Sequence, residues 1–150
     1  MRILIQRVSE AHVKVDNQIV GAIQKGLLVL VGIEETDTEE DSDWLAQKTV
    51  GLRVFPDNMG VMNESLLQQN GQLLVISQFT LHAQTKKGNR PSYIRAARPE
   101  QAIPLYEHFL KTLATLTKQK VARGVFGADM KVQLINDGPV TIWIDSKNRE

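Results

Sequence analysis

The sequence contains no cysteine, which excludes disulfides, thiolate metal sites and a cysteine nucleophile. Histidine is scarce too, occurring only at His12, His82 and His108. No HExxH or paired-carboxylate spacing proposes a metal, so none is expected. No Gly-x-Ser-x-Gly elbow and no phosphate-binding glycine loop is present, and no cofactor is expected. No apolar run approaches the roughly 18 residues that would span a bilayer. Met1 to Val8 alternates with charge and lacks the apolar block of a secretory signal. A cytoplasmic protein that does not enter membranes is therefore expected. Neither charge dominates: 18 Lys and Arg against 17 Asp and Glu leave a net +1, so the whole chain is no polyanion-binding tail.

Apolar residues make up 42% of the 150, enough for one domain, residues 1–150, around one core. Charge is unevenly spread along it. Glu34 to Asp43 is acidic, whereas Lys86, Lys87, Arg90, Arg95 and Arg98 follow one another with no acid between them. Such a basic segment is either a solvated loop or a local attractor of phosphate.

Ile3–Val8 reads as a short strand, and His12–Ile23 as a strand or hairpin turning at Asp16-Asn17. Leu27–Ile33 and Leu73–Leu81 are apolar runs suited to buried strands. Thr36–Leu52 has acids at its start and a lysine near its end, the charge order of a helix. Pro56 to Gly60 is a turn cluster. Leu105, Phe109, Leu113 and Leu116 recur at helical spacing in a second helix, which begins either at Pro99 with an irregular first turn or near Pro104. Val121–Phe126 is a candidate strand, and Lys131–Ile135 and Val140–Asp145 alternate around the turn residues Asp137-Gly138-Pro139 as a last hairpin. The expected class is α/β of the α+β type: a largely antiparallel β-sheet with two main helices on one face.

Two stretches carry candidate chemistry. At Ser77-Gln78-Phe79-Thr80 a buried strand ends abruptly in polar groups, a place where a rigid element can position a pocket. Thr80 could act as a nucleophile or orient water, and backbone N–H groups there could hold an oxyanion; equally, the hydroxyls could simply close a strand end. Asn136-Asp137-Gly138-Pro139 is by itself a turn signal. His82 follows the first stretch, while His12 and His108 read as structural or solvated.

Together the two stretches resemble the D-aminoacyl-tRNA deacylase family, whose Ser-Gln-Phe-Thr and Asn-x-Gly-Pro-Val-Thr motifs stand intact at 77–80 and 136–141. Agreement continues at Ile5 to Val8, Gly26 to Leu30, Lys87 to Ser92 and Phe126 to Met130, in the same order over nearly the whole chain. Tyr93 departs from the family's more usual phenylalanine but keeps the ring. The resemblance implies hydrolysis of the ester between a D-amino acid and the terminal ribose of tRNA, glycyl esters included. It implies a homodimer in which a cis Gly138-Pro139 pair of one subunit excludes L-side chains from the partner's pocket, a rejection by clash. Arg7 and Met130 match positions that brace this pair. Lys86, Lys87 and Arg90 become candidates for phosphates of the tRNA acceptor end, and Tyr93 or Phe126 for stacking on its terminal adenine. The catalytic set is Ser77 to Thr80, with two mechanisms open: attack by Thr80, or water attack assisted by the substrate's neighbouring ribose hydroxyl. A non-catalytic RNA-binding module of the same fold is the alternative reading.

Overall fold

The computed structural model describes residues 1–150. Its elements are β1 (Arg2–Val15), β2 (Gln18–Ile23), β3 (Gly26–Gly32), α1 (Glu39–Gly51), β4 (Phe55–Pro56), β5 (Met62–Glu64), β6 (Gln72–Ser77), a 3-10 turn (Phe79–His82), α2 (Pro99–Thr117), β7 (Ala122–Arg123) and β8 (Lys131–Asp145). The main sheet runs β2-β1-β3-β6-β7, with β8 also paired to β1.

β1 is the hub. On one edge Arg2–Val8 pairs with β3 and Ala11–Val15 with β2; along the other edge β8 accompanies it from Arg2 opposite Asp145 to Lys14 opposite Lys131. These pairings are antiparallel, while β3–β6 and β6–β7 are parallel. The sheet curls until β2 nears β7: a Cβ on Gly21 would stand 2.6 Å from the Arg123 carbonyl oxygen, so the approach needs glycine. The result is an α+β fold with two helices and a mostly antiparallel, nearly barrel-like sheet.

The continuous apolar runs of β3 and β6 are buried on both faces, as their lack of alternation requires. Ile5, Leu27, Val29 and Val75 face both helices, meeting Leu45, Leu105, Phe109 and Leu113. Leu28, Leu74 and Ile76 face the other way, into the curl of the sheet, with Val8 and Val13. The single expected core is thus two apolar clusters on opposite faces of the sheet. α1 starts at a capping box in which the Thr38 N–H donates to Asp41 Oδ2 at 2.9 Å. α2 starts at Pro99, the earlier of the two alternatives, and keeps Pro104 inside on its exposed side. Pro104 cannot serve the Glu100 carbonyl, but Glu100 is itself exposed, so water can.

Several boundaries differ from expectation. β1 is one strand of 14 residues, and its turn into β2 places Asp16 and Asn17 at φ 49 and 62°, as a two-residue hairpin requires. β6 stops at Ser77 and gives way to the 3-10 turn. The strand expected over 121–126 shrinks to Ala122–Arg123. The last hairpin is absent: Lys131–Asp145 is one strand of 15 residues. Its register on β1 jumps from Thr141 opposite Gln6 to Asn136 opposite Val8, so Asp137 to Pro139 form a bulge rather than a reversal. A bulge and a hairpin turn draw on the same residues, and only the shared partner β1 tells them apart.

Candidate functional site

β6 leaves the core at Ser77. The Gln78 N–H donates to the Val31 carbonyl at 2.7 Å, and the chain then winds into the Phe79–His82 turn. Leu81 and Ala83 N–H close that turn on the carbonyls of Gln78 and Thr80 at 3.2 and 3.0 Å. The first N–H groups of such a turn, here those of Phe79 and Thr80, have no acceptor within it. The Gln78 amide donates to Thr80 Oγ1 at 2.5 Å, which engages the hydroxyl oxygen.

The turn ends at His82, 1% exposed, with neither ring nitrogen in hydrogen-bond geometry. Burial pushes its pKa below the usual histidine value, and the Gly32 backbone nearby opposes this only in part. The ring is therefore neutral at neutral pH. Gly32 itself, the last residue of β3, supports the turn: a Cβ there would stand 2.9 Å from Leu81 Cβ and 3.0 Å from both the Gln78 oxygen and His82 Cδ2.

Beside the turn opens a cavity of about 260 Å³. It is lined by Ser77, Gln78 and Phe79, by Val31, Ile33 and Ala102, and by Phe126 to Met130. The cavity is largely apolar; Asp129 is the one ionisable residue along it, and its exposed carboxylate is paired with Lys131 at 2.8 Å. Phe126 is held from behind by Tyr106 of α2, ring centroids 5.9 Å apart. The Tyr106 hydroxyl donates to the Val75 carbonyl at 3.0 Å, and burial raises its pKa far above the ordinary phenol value. No group of three or more His, Asp or Glu side chains is arranged to hold a metal ion.

Phe79, which lines the cavity, and Tyr93 are 57% and 37% exposed and meet edge to face at 5.1 Å. This contact links the turn to the basic loop. The loop is pinched by Gln84 and Ser92, whose N–H groups and carbonyls pair at 2.8 and 3.0 Å, and it leaves Lys86, Lys87 and Arg90 exposed between them. Arg95 is committed elsewhere, with Nη2 on buried Glu34 at 2.6 Å.

Gly138 and Pro139 are joined by a cis peptide bond, with Gly138 at φ +128°. Arg7 supports the bulge from behind: Nε donates to the Asp137 carbonyl at 2.9 Å and Nη1 to the Val54 carbonyl. Its guanidinium also occupies the space a Cβ on Gly138 would take. The Asn136 amide donates to the carbonyls of Arg7 and Val140 at 3.1 and 3.0 Å. Asp137, Gly138 and Pro139 are all exposed and do not line their own chain's cavity.

The structure thus gathers Ser77, Gln78, Phe79, Phe126 and Met130 around one cavity, with Thr80 joined through Gln78 and Tyr93 through Phe79. Gly138, Pro139 and Arg7 form a second, outward-facing cluster, and Met130 packs on Gly124 while Arg7 and Val140 surround Gly138. Gly32 and Tyr106 carry no signal in the candidate motifs. A glycine ending an apolar strand is a faint sign of close approach, whereas nothing marks a core tyrosine as a brace for a pocket wall.

Residues 4–145 match the model of the family described as D-Tyr-tRNA(Tyr) deacylase. A Bacteroides fragilis protein named D-aminoacyl-tRNA deacylase is 63% identical over 150 residues, covering 100% of both chains. Among solved structures, one titled c-Myc DNA Unwinding Element Binding Protein superposes with a TM-score of 0.90 at 37% identity, over 97% of this chain and 98% of that one. A second, titled as a probable eukaryotic D-amino acid tRNA deacylase, shares the fold, with a TM-score of 0.82 at 16% identity over 95% and 97% of the two chains.

Proposed function

The chain belongs to the D-Tyr-tRNA(Tyr) deacylase family, and from that premise we propose that it hydrolyses the ester joining a D-amino acid, or glycine, to the terminal ribose of tRNA. Water attacks the ester carbonyl carbon, the bond to the ribose oxygen breaks, and that oxygen leaves protonated with the tRNA. The observation that carries this reading is the apolar cavity walled by Ser77, Gln78 and Phe79, at the edge of a turn whose first N–H groups have no acceptor within it. Those N–H groups, of Phe79 and Thr80, meet the developing oxyanion. An aminoacyl ester is already activated, so such modest equipment suffices.

Thr80 orients rather than attacks. Its oxygen is engaged by Gln78, and His82, the last residue of the turn, is held neutral by burial and makes no hydrogen bond to it. The substrate's adjacent ribose hydroxyl assists the attacking water instead. Trapping of an acyl group on Thr80 would reverse this assignment.

Chirality is screened by a second copy of the chain. Gly138 and Pro139 are exposed, braced from behind by Arg7 and absent from their own cavity, which suits a role across a homodimer interface. In the dimer they enter the partner's cavity and clash with an L-side chain. Lys86, Lys87 and Arg90 take phosphates of the acceptor end, and the terminal adenine stacks at Tyr93 or Phe126. The work is cytoplasmic, on charged tRNA, by a single domain. Deacylation of D-, L- and glycyl-charged tRNA by the purified protein tests the reading: release of the D- and glycyl residues with the L-residue spared is expected. Binding of charged tRNA with no release of any residue would make the protein a nucleic-acid-binding module instead.

A further inference from the structure

Arg2 stands opposite Gly32 of β3 and opposite Asp145 of β8. Its guanidinium makes three contacts at once. Nε donates to Asp145 Oδ2 at 2.7 Å, Nη1 donates to the Leu81 carbonyl at 3.1 Å, and Cζ lies 5.5 Å from the ring centre of Trp143. The contacts with Asp145 and Trp143 stay within the sheet. The bond to Leu81 leaves it and lands on the Phe79–His82 turn.

That bond matters because the turn has few ties to the sheet. The bonds of Leu81 to Gln78 and of Ala83 to Thr80 are internal to it. Gln78 N–H on the Val31 carbonyl holds its entry, and Gly32 packs closely against Leu81, Gln78 and His82. Arg2 holds its far end. The hydrogen bond is charge-assisted, and the Arg2 side chain is only 21% exposed, which limits screening by water. Arginine's rigid planar fork lets one side chain serve a carboxylate, a carbonyl and an aromatic face together; a lysine ammonium on a flexible stem, offered an anion and a carbonyl in different directions, goes to the anion.

We propose that Arg2 is a positioning residue for deacylation: by holding the Leu81 carbonyl it fixes the turn from which the Phe79 and Thr80 N–H groups point, and so sets where the ester carbonyl is held. This rests on the reading that those N–H groups receive the oxyanion. Arg2 touches no substrate, and its effect falls on the rate of the bound complex rather than on binding of tRNA.

The test compares Arg2→Lys with Asp145→Asn, using amide resonances of the isotope-labelled protein, melting temperature and steady-state deacylation of D-aminoacyl-tRNA. Arg2→Lys keeps a cation for Asp145 but releases Leu81. It should shift the Phe79 and Thr80 amide resonances and lower kcat by about tenfold with KM unchanged, since small misplacements of a reacting group are costly. Asp145→Asn keeps an oxygen for Nε and leaves Nη1 on Leu81, so both amides and kcat should stay near wild type even where the melting temperature falls. Unmoved amides in Arg2→Lys overturn the proposal. So does a fall in kcat that is equal in the two variants and tracks their melting temperatures, which would make Arg2 an ordinary strand staple. A wild-type protein that releases no amino acid refutes the proposed function instead, and the amide resonances then judge the anchoring by themselves.

Discussion

Replacing Gly32 with alanine adds one methyl group at the place where β3 supports the Phe79–His82 turn. Gly32 is an extended strand residue, so alanine fits its backbone, and the loss of glycine's freedom in the unfolded chain would by itself stabilise the fold by about 0.4–1 kcal/mol. Space decides otherwise. The new carbon would stand 2.9 Å from Leu81 Cβ and 3.0 Å from both the Gln78 oxygen and His82 Cδ2. Carbon atoms rest at about 3.5–4 Å, so Leu81 must retreat by roughly 0.6–1 Å. If the turn resists, the overpacking costs about 1–3 kcal/mol, which outweighs the entropic gain and lowers the melting temperature by several degrees, at about 2–4 °C per kcal/mol for a chain this long. If the turn yields, stability survives but the Phe79 and Thr80 N–H groups move by most of an ångström, enough to cost about a hundredfold in kcat. Either way one of the two quantities must change. Calorimetry and single-turnover deacylation on the same preparation separate them. A Gly32→Ala protein that melts within a degree of wild type and keeps its rate would refute both the role of β3 as a platform and the assignment of the turn to the reaction.

Three further outcomes are expected. Gly138→Ala places a side chain at φ +128° and pushes the Arg7 guanidinium off its carbonyls, so it should destabilise the fold by about 1–3 kcal/mol and narrow the D- over L-ester preference; an undiminished preference in a protein with a lowered melting point would detach Gly138 from chiral selection. His82 has a pKa lowered by burial, so the unfolded chain takes its proton first as pH drops: the neutral ring's contribution is complete above about pH 6.5 and is lost as pH falls below it. Melting temperatures from pH 7.5 to 5.5 should therefore decline more steeply for wild type than for His82→Leu, and parallel declines would exonerate His82. Affinity for charged tRNA should fall with salt at a log–log slope of about −2 if Lys86, Lys87 and Arg90 each meet a single-stranded phosphate, and replacing all three with alanine should flatten it; an unchanged slope would move the tRNA contact elsewhere.

Much of the fold is legible in the sequence where local pattern and tertiary role coincide. β3 and β6 announce themselves as unbroken apolar runs because both their faces are buried, and α2 by the spacing of Leu105, Phe109 and Leu113. The strand through Asn136 to Val140 is illegible for a definite reason. Asp137-Gly138-Pro139 has the chemistry of a reversal, and only β1, more than a hundred residues earlier, keeps the chain going straight. The site divides in the same way. Ser77 to Thr80 stand out because polarity breaks an apolar strand. Arg2 and Gly32 do not, because what they serve is backbone: a carbonyl that accepts a guanidinium, or a methylene that lets a turn come close, has no residue type to betray it.

That division also predicts where the protein tolerates change. The cavity has one ionisable residue along it, and that one is exposed and paired at the surface. The histidine that ends the turn is buried, neutral and unpartnered. On the proposed reading, neither rate enhancement nor chiral choice then draws on a charged side chain in the pocket; both draw on where backbone N–H groups and a glycine-proline bulge are held. Thr80→Ala deletes a side chain but leaves its N–H in place, so it should lower kcat by less than about tenfold, well short of the loss from moving the turn. Arg7 and Arg2, by contrast, never meet the ester, yet each orients a stretch of backbone through a carbonyl, Asp137 in one case and Leu81 in the other. The residues hardest to replace would thus lie one layer away from the substrate, and a rate that collapsed with Thr80→Ala while the turn stayed in place would return catalysis to the side chain and undo this ordering.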